Sequence, residues 1–213
     1  MVENEGAAVS IRQPKAIVFD VGRVIVQWDL RFLFAKLISD PAQLDWFLAN
    51  VVTQEWHFQH DGGRPLAEMV PERKTQFPEY ARLIDAYAER FLETIPGPVD
   101  GTAALIGALD RAGYPLFAIT NFGADFWPMF RPGQPVLDYF ADIVVSGTEK
   151  LAKPDPAIFQ LAQRRFGYAV GDMLFIDDNL ENIAAAQLEG WQVHHFCDAQ
   201  TLADDLRARG LLA

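Results

Sequence analysis

Ala16-Ile17-Val18-Phe19-Asp20-Val21-Gly22 is the stretch on which the fold turns. Its first four residues are apolar on both faces, and the run stops at a carboxylate. A short run without polar alternation reads as a strand buried on both sides, the pattern of a parallel sheet. Similar runs recur along the chain: Pro115–Ile119, Asp142–Val145, Met173–Ile176 and Trp191–Phe196. Helical patterns separate them. Gly101–Ala112 carries Ala104, Leu105, Ala108 and Leu109 on one stripe and stops at Gly113. Asp155–Phe166 opens on Asp-Pro and stops at Gly167, and Leu180–Leu188 is followed by Gly190. Strand–helix alternation of this kind predicts an α/β fold with a doubly wound, Rossmann-like parallel sheet.

Residues 30–95 break the alternation. They are rich in Phe, Leu, Ala and Trp, and Pro41, Pro65, Pro71 and Pro78 divide them into short helices. Pro96-Gly97-Pro98 closes the segment as a turn. So long a stretch between two strands reads as an insert. The expected organisation is an α/β core of residues 1–27 and 97–213 and a helical cap of residues 28–96.

The 213 residues are 50% hydrophobic and 22% charged, a globular composition. A formal net charge of −11 gives no electrostatic reason to bind nucleic acid or an anionic membrane, and a phosphate site would need a local cation. Cys197 is the single cysteine, so an internal disulfide is excluded and a reducing cytoplasm is the expected setting. Met1–Pro14 lacks the apolar run of a signal peptide, and no apolar stretch is long enough to span a bilayer. Monomer or homodimer is the expected state.

In a doubly wound sheet, ligands sit at the carboxyl ends of the strands. There the sequence places Asp20 after the first strand and Thr120-Asn121 after the second. Lys153 follows the third, and Asp177-Asp178 end the fourth. A carboxylate can attack phosphorus and split one hard step into two. Phosphoryl transfer then depends on positioning and on charge neutralisation. Mg²⁺ takes one or two carboxylates together with water and phosphate oxygens, a role suited to Asp20 and Asp178. A lysine keeps the nucleophile ionised, and Thr120 and Asn121 can donate hydrogen bonds to phosphate.

Four segments resemble, in order and spacing, the motifs of the haloacid dehalogenase superfamily. They are Phe19–Val26, Ile119–Asn121, Lys153–Phe159 and Phe175–Ile183. Four in order carry far more weight than one. The resemblance implies Asp20 as nucleophile and metal ligand, and the Gly22 carbonyl as a second metal ligand. It implies Thr120 and Asn121 as the phosphate-binding pair and Lys153 as the family lysine. Asp178 becomes a metal ligand, with its acidic neighbour Asp177 a further candidate ligand, and Asn182 an orienting residue. It further implies Mg²⁺, a small-molecule phosphate ester as substrate and a type-1 helical cap.

Members of the family with phosphatase activity commonly carry a second Asp where this chain has Gly22. Glycine offers a carbonyl but shuttles no proton, and losing acid–base help costs about 10²–10⁴-fold in rate. A subgroup with Asp-x-Gly in the first motif, similar to bacterial glucose-1-phosphate phosphatases, resembles this chain more closely. The likeness includes Trp28-Asp29, Gln59-His60-Asp61 and Phe126-Trp127-Pro128. His57, His60 and Asp61 lie near Gly62-Gly63, and His60 is the expected substrate-binding proton carrier. Trp28, Trp46, Trp56 and Trp127 read as core or cap packing, with Trp56 and Trp127 the best candidates for a sugar platform. Two alternatives stand beside a sugar-phosphate phosphatase. One is a metal-free 2-haloacid dehalogenase, though related dehalogenases have serine in place of the acidic pair. The other is a catalytically weak member with a binding role.

Overall fold

A computed structural model describes residues 13–213. Residues 1–12, the leading part of the segment read as lacking a signal, lie outside the described residues. Five parallel strands form one sheet: β1 (Ala16–Phe19), β2 (Leu116–Thr120), β3 (Asp142–Val145), β4 (Met173–Asp177) and β5 (Gln192–His195). Their order is β3-β2-β1-β4-β5, with β1 at the centre. Ile17 registers with Leu116 on one side and Leu174 on the other. After β3 the chain crosses back over β1 to lay down β4. That reversal opens a crevice at the carboxyl ends of β1 and β4. The α/β parallel-sheet fold expected from the sequence is therefore the observed one.

The strands bury both faces because their side chains alternate. Ala16 and Val18 point with Val144 and Phe175 toward α9 (Pro156–Phe166) and α10 (Leu180–Leu188). Ile17 and Phe19 point with Ala118 and Leu174 to the opposite face. That face is covered by α6 (Thr102–Arg111), α11 (Ala199–Ala208) and the helical insert. α9 begins where Asp155 accepts a hydrogen bond from Ala157 N, with Pro156 at its first position. It ends at Gly167 in the left-handed region.

The insert comprises α1 (Leu30–Phe34), α2 (Pro41–Asn50), α3 (Gln54–Asp61), α4 (Leu66–Gln76) and α5 (Ala81–Glu89). Asp29, Asp40 and Thr53 cap the first three through side-chain oxygens. Pro71 was expected to break a helix, yet α4 runs through it. The residue is exposed, so its ring faces solvent, and Thr75 Oγ1 donates to the Pro71 carbonyl at 3.0 Å. No helix of the described residues is long and apolar enough to cross a membrane.

The insert is not a separate droplet. Its buried Phe47, Trp56 and Tyr87 belong to the same apolar cluster as Ile17 and Phe19 of the sheet. Two features tie the insert to the edge of the sheet. Ser146 opens the short helix α8 (Ser146–Glu149) at the end of β3; its Oγ donates to the Asp61 carbonyl at 2.6 Å and accepts from Phe122 N at 2.9 Å. Phe91 then stacks on Phe126 with ring centroids 3.7 Å apart and planes within 2°. Such aromatic pairs add about 0.5–1.5 kcal/mol beyond the area they bury.

Gly147 sits at this junction, where a Cβ would lie 2.4 Å from the Ala124 nitrogen and 2.8 Å from the Phe122 carbonyl oxygen. Those neighbours are backbone and cannot swing away. Gly147→Ala is therefore expected to cost about 1–3 kcal/mol in urea unfolding. Gly22→Ala, whose Cβ meets nothing within 4 Å, should stay within about 0.5 kcal/mol of wild type. Equal losses in the two variants would contradict this packing.

Candidate active site

Each strand end delivers one polar group to the crevice. Asp20 follows β1, and its backbone N donates to the Ile176 carbonyl of β4 at 2.8 Å. Only 8% of Asp20 is exposed. Lys153 is 1% exposed, and its ammonium makes three contacts: Asp20 Oδ1 at 2.9 Å, Asp177 Oδ2 at 2.7 Å and the Ile119 carbonyl at 2.9 Å. Asp20, Asp177 and Asp178 each offer an oxygen within 4.8 Å of the others.

One ammonium among three carboxylates leaves an excess of negative charge in a dry place. Burial pushes the Asp20 carboxyl up to about 7; Lys153 opposes the rise, while Asp177 and Asp178 add to it. Asp178 is also raised, first by burial and then by Asp177, with Arg23 pulling the other way. Burial alone would lower Lys153, but Asp177 and Asp20 outweigh it and hold the ammonium above its ordinary value. These directions agree on one point: the cluster lacks a positive charge. An all-oxygen, carboxylate-rich donor set of this kind suits a hard divalent cation.

Asp178 lines a cavity of about 410 Å³ together with Asp20, Gly22, Asn121 and Lys153. Asp177 does not line it. Its oxygens are taken by Lys153 Nζ, by Asn179 N at 2.8 Å and by Asn182 Nδ2 at 3.1 Å. The cap of α10 is Asn179, whose side chain accepts from Glu181 N and Asn182 N. Asp178 is thereby left free of capping duty. Asn121 differs from expectation too. Its amide donates to the Lys153 carbonyl and accepts from Lys153 N, both at 2.9 Å, so the side chain holds the lysine loop. Thr120 is fully buried at the end of β2, and its Oγ1 has no hydrogen-bond partner.

His60 is not among the residues lining the cavity. Its Nδ1 lies 2.8 Å from the Arg64 carbonyl, and its ring meets Phe126 edge-on at 4.9 Å. It covers Gly123, where a Cβ would stand 1.9 Å from His60 Cδ2. The expected proton carrier is thus a wedge between α3 and the loop after β2. His57, one turn earlier and 5% exposed, does line the cavity. Packing is the outcome for both platform candidates, and a third tryptophan reaches the cavity. Trp56 is buried in the core against Tyr87, Trp127 packs on Phe122 and Phe130, and Trp28 faces the cavity.

Sequence reasoning gave Arg23 no role. Its backbone is in the left-handed region at φ 59°, and Nε donates to the Trp28 carbonyl at 3.2 Å. The guanidinium sits 5.1 Å from the Trp28 ring centroid and 3.9 Å from Asp178. The only available signal was a cation three residues after the first strand's aspartate.

Two outcomes follow from this charge balance. Lys153→Met would leave Asp20 and Asp177 buried without their counter-ion. It is expected to cost about 3–5 kcal/mol in denaturant unfolding, and a loss under 1 kcal/mol would contradict the geometry. The second outcome concerns pH. The folded metal-free protein keeps a proton on Asp20 that an unfolded carboxyl, with its ordinary value of 3.8, releases earlier. The stability from this group is therefore full below about pH 4 and is lost as pH rises to about 7. In EDTA, the melting temperature of Asp20→Asn relative to wild type should rise from pH 5 to pH 8. A flat or falling difference would contradict the assignment.

Comparison with known proteins gives one consistent answer. Residues 14–190 match the model of the haloacid dehalogenase-like hydrolase family. A phosphoglycolate phosphatase of Pectobacterium atrosepticum is 28% identical over 130 residues, 61% of this chain and 52% of that protein. The chain thus spans about half the length of the curated relatives it matches. Among solved structures, a HAD-like hydrolase from Porphyromonas gingivalis superposes with a TM-score of 0.70 at 18% identity, covering 92% of this chain and 98% of that one. A HAD family enzyme from Bacteroides thetaiotaomicron, described in complex with magnesium and inorganic phosphate, gives 0.65 at 22% identity, covering 87% and 95%. The chain belongs to the haloacid dehalogenase-like hydrolase family.

Proposed function

We propose that this protein is a Mg²⁺-dependent phosphatase acting on a small phosphorylated metabolite, a sugar phosphate or a similar ester, through an aspartyl-phosphate on Asp20. The observation that carries the reading is the buried Lys153 ammonium. It touches Asp20 at 2.9 Å and Asp177 at 2.7 Å, at the edge of a three-carboxylate cluster. The phosphatase names among the curated relatives support the same class.

In this reading Asp20 Oδ attacks phosphorus, the ester oxygen leaves with a proton, and water later releases phosphate from Asp20. Lys153, together with the cation when one is bound, favours the ionised form of the attacking carboxylate, and it faces the phosphoryl oxygens. Asp177 is a positioning residue that holds Lys153, and Asn121 fixes the main chain of the same lysine. The unpartnered Thr120 hydroxyl becomes a donor to a phosphate oxygen. Asp20, Asp178 and the Gly22 carbonyl would hold Mg²⁺, which when bound supplies the positive charge the cluster lacks and neutralises phosphate. Residues 28–96 form the cap over a core of 1–27 and 97–213. The cap walls the cavity through Trp28, His57 and Asp61 and excludes bulk water. A dehalogenase reading fits less well, because it leaves the acidic excess uncompensated.

Hydrolysis of p-nitrophenyl phosphate tests the reading. Release should require Mg²⁺, stop in EDTA, and fall by at least about 10³-fold in Asp20→Asn, which lacks the nucleophile. Asp178→Asn should lower activity and raise the Mg²⁺ concentration needed for half-maximal rate. Undiminished turnover in EDTA, or in Asp20→Asn, would overturn it.

A further inference from the structure

The cavity has a second polar wall, away from the strand ends, built by α3 and backed by Tyr87 of α5. Asp61 is 5% exposed and lines the cavity, and its Oδ1 is buried with no hydrogen-bond partner. Its other oxygen, Oδ2, lies 3.3 Å from His57 Nε2. His57 Nδ1 lies 2.6 Å from the Tyr87 hydroxyl. The imidazole is clamped between Trp28, stacked at 5.0 Å, and Phe91, stacked at 5.6 Å. These contacts place the two ring nitrogens of His57 between the Tyr87 hydroxyl and Asp61, one facing each. The Ser146 hydroxyl fixes the main chain of Asp61 itself.

The chain Tyr87–His57–Asp61 therefore orients one carboxylate in the cavity wall and leaves one of its oxygens without a donor. A buried acceptor without a donor is costly, and its surroundings are too rigid for it to turn away. What it lacks is a hydrogen-bond donor from the ligand. The rest of the lining narrows the choice. Glu55 and Glu181 also line the cavity, and its cations are Lys153, engaged by Asp20 and Asp177, and Arg23, set against Trp28 and Asp178. A leaving group that carries its own carboxylate would meet Glu55, Asp61 and Glu181, with Arg23, 3.9 Å from Asp178, as the cavity-lining cation outside the Lys153 cluster.

We infer that Asp61 is a specificity-determining residue that accepts a hydrogen bond from a hydroxyl on the alcohol part of the phosphate ester. The alcohol is then uncharged and hydroxylated, and esters such as phosphoglycolate are poor substrates. The inference rests on the phosphatase reading and adds to it a residue and a chemical class. A site built to bond a hydroxyl discriminates against the analogue lacking it, because its own polar group is left unpaired.

Matched ester pairs test it in the intact protein with Mg²⁺. They are glycerol 1-phosphate against propyl phosphate, and hexose 1-phosphates against cyclohexyl phosphate, with phosphoglycolate as the carboxylate-bearing ester. Wild type should favour at least one hydroxylated partner by about 10- to 100-fold in kcat/KM, and should turn over phosphoglycolate more slowly than that partner. In Asp61→Asn an oxygen can stay toward His57 while the amide N–H₂ faces the cavity, replacing an acceptor by a donor. The hydroxyl preference should then drop by about tenfold. Because it is a ratio within each protein, general damage to the site cancels. Equal rates within every pair in wild type overturn the inference without any variant, as does a preference that survives Asp61→Asn. A wild type that hydrolyses none of the esters, p-nitrophenyl phosphate included, fails the phosphatase reading instead.

Discussion

A single buried ammonium organises this molecule's chemistry. Lys153 reaches from the loop after β3 across to the ends of β1 and β4 and joins Asp20 to Asp177. Burying three charges is expensive, and such a cluster persists only when its geometry is over-determined. Here it is. The amide of Asn121 grips both backbone polar groups of Lys153, and the side chain of Asn182 and the backbone of Asn179 fix Asp177. The lysine neutralises only part of the acidic charge, and that imbalance is why burial can raise Asp20 and Asp178 while Lys153 remains protonated.

The helical insert completes the site by close packing. The His60 wedge over Gly123 and the Ser146 bridge to Asp61 bind α3 to loops at the carboxyl edge of the sheet, and the Phe91–Phe126 stack ties the end of the insert to the same edge. In the α/β scaffold the sheet presents acids and one lysine, while the insert presents an aromatic clamp and a second carboxylate. The strand ends and the insert thus form two walls of one cavity.

Much of the fold was legible because its signals are local. Apolar runs without alternation marked β1 to β4, and Asp-Pro followed by a distant glycine marked α9. The strand-end positions of Asp20, Thr120, Asn121, Lys153 and Asp178 followed from the same runs. What remained hidden depends on contacts distant in sequence. His57 and His60 lie on one short helix and differ only in which face meets Gly123, which no periodicity reveals. Asn121 looked like a phosphate donor until the Lys153 loop, 32 residues away, came to rest on its amide. Pro71 failed as a helix breaker because its ring met solvent instead of a neighbour. The left-handed turn that brings Arg23 to Asp178 has no composition signal, since arginine is an unusual residue there.

The central claim is that the carboxylates at the ends of β1 and β4 share one divalent cation beside Lys153. Crystals grown with Mn²⁺, with anomalous difference density recorded at the manganese edge, test it most directly. The account predicts one strong peak at bonding distance from both Asp20 and Asp178, with Lys153 still in contact with Asp20. No peak at the strand ends, or a peak bound by Asp178 with Asp20 turned away, would contradict it.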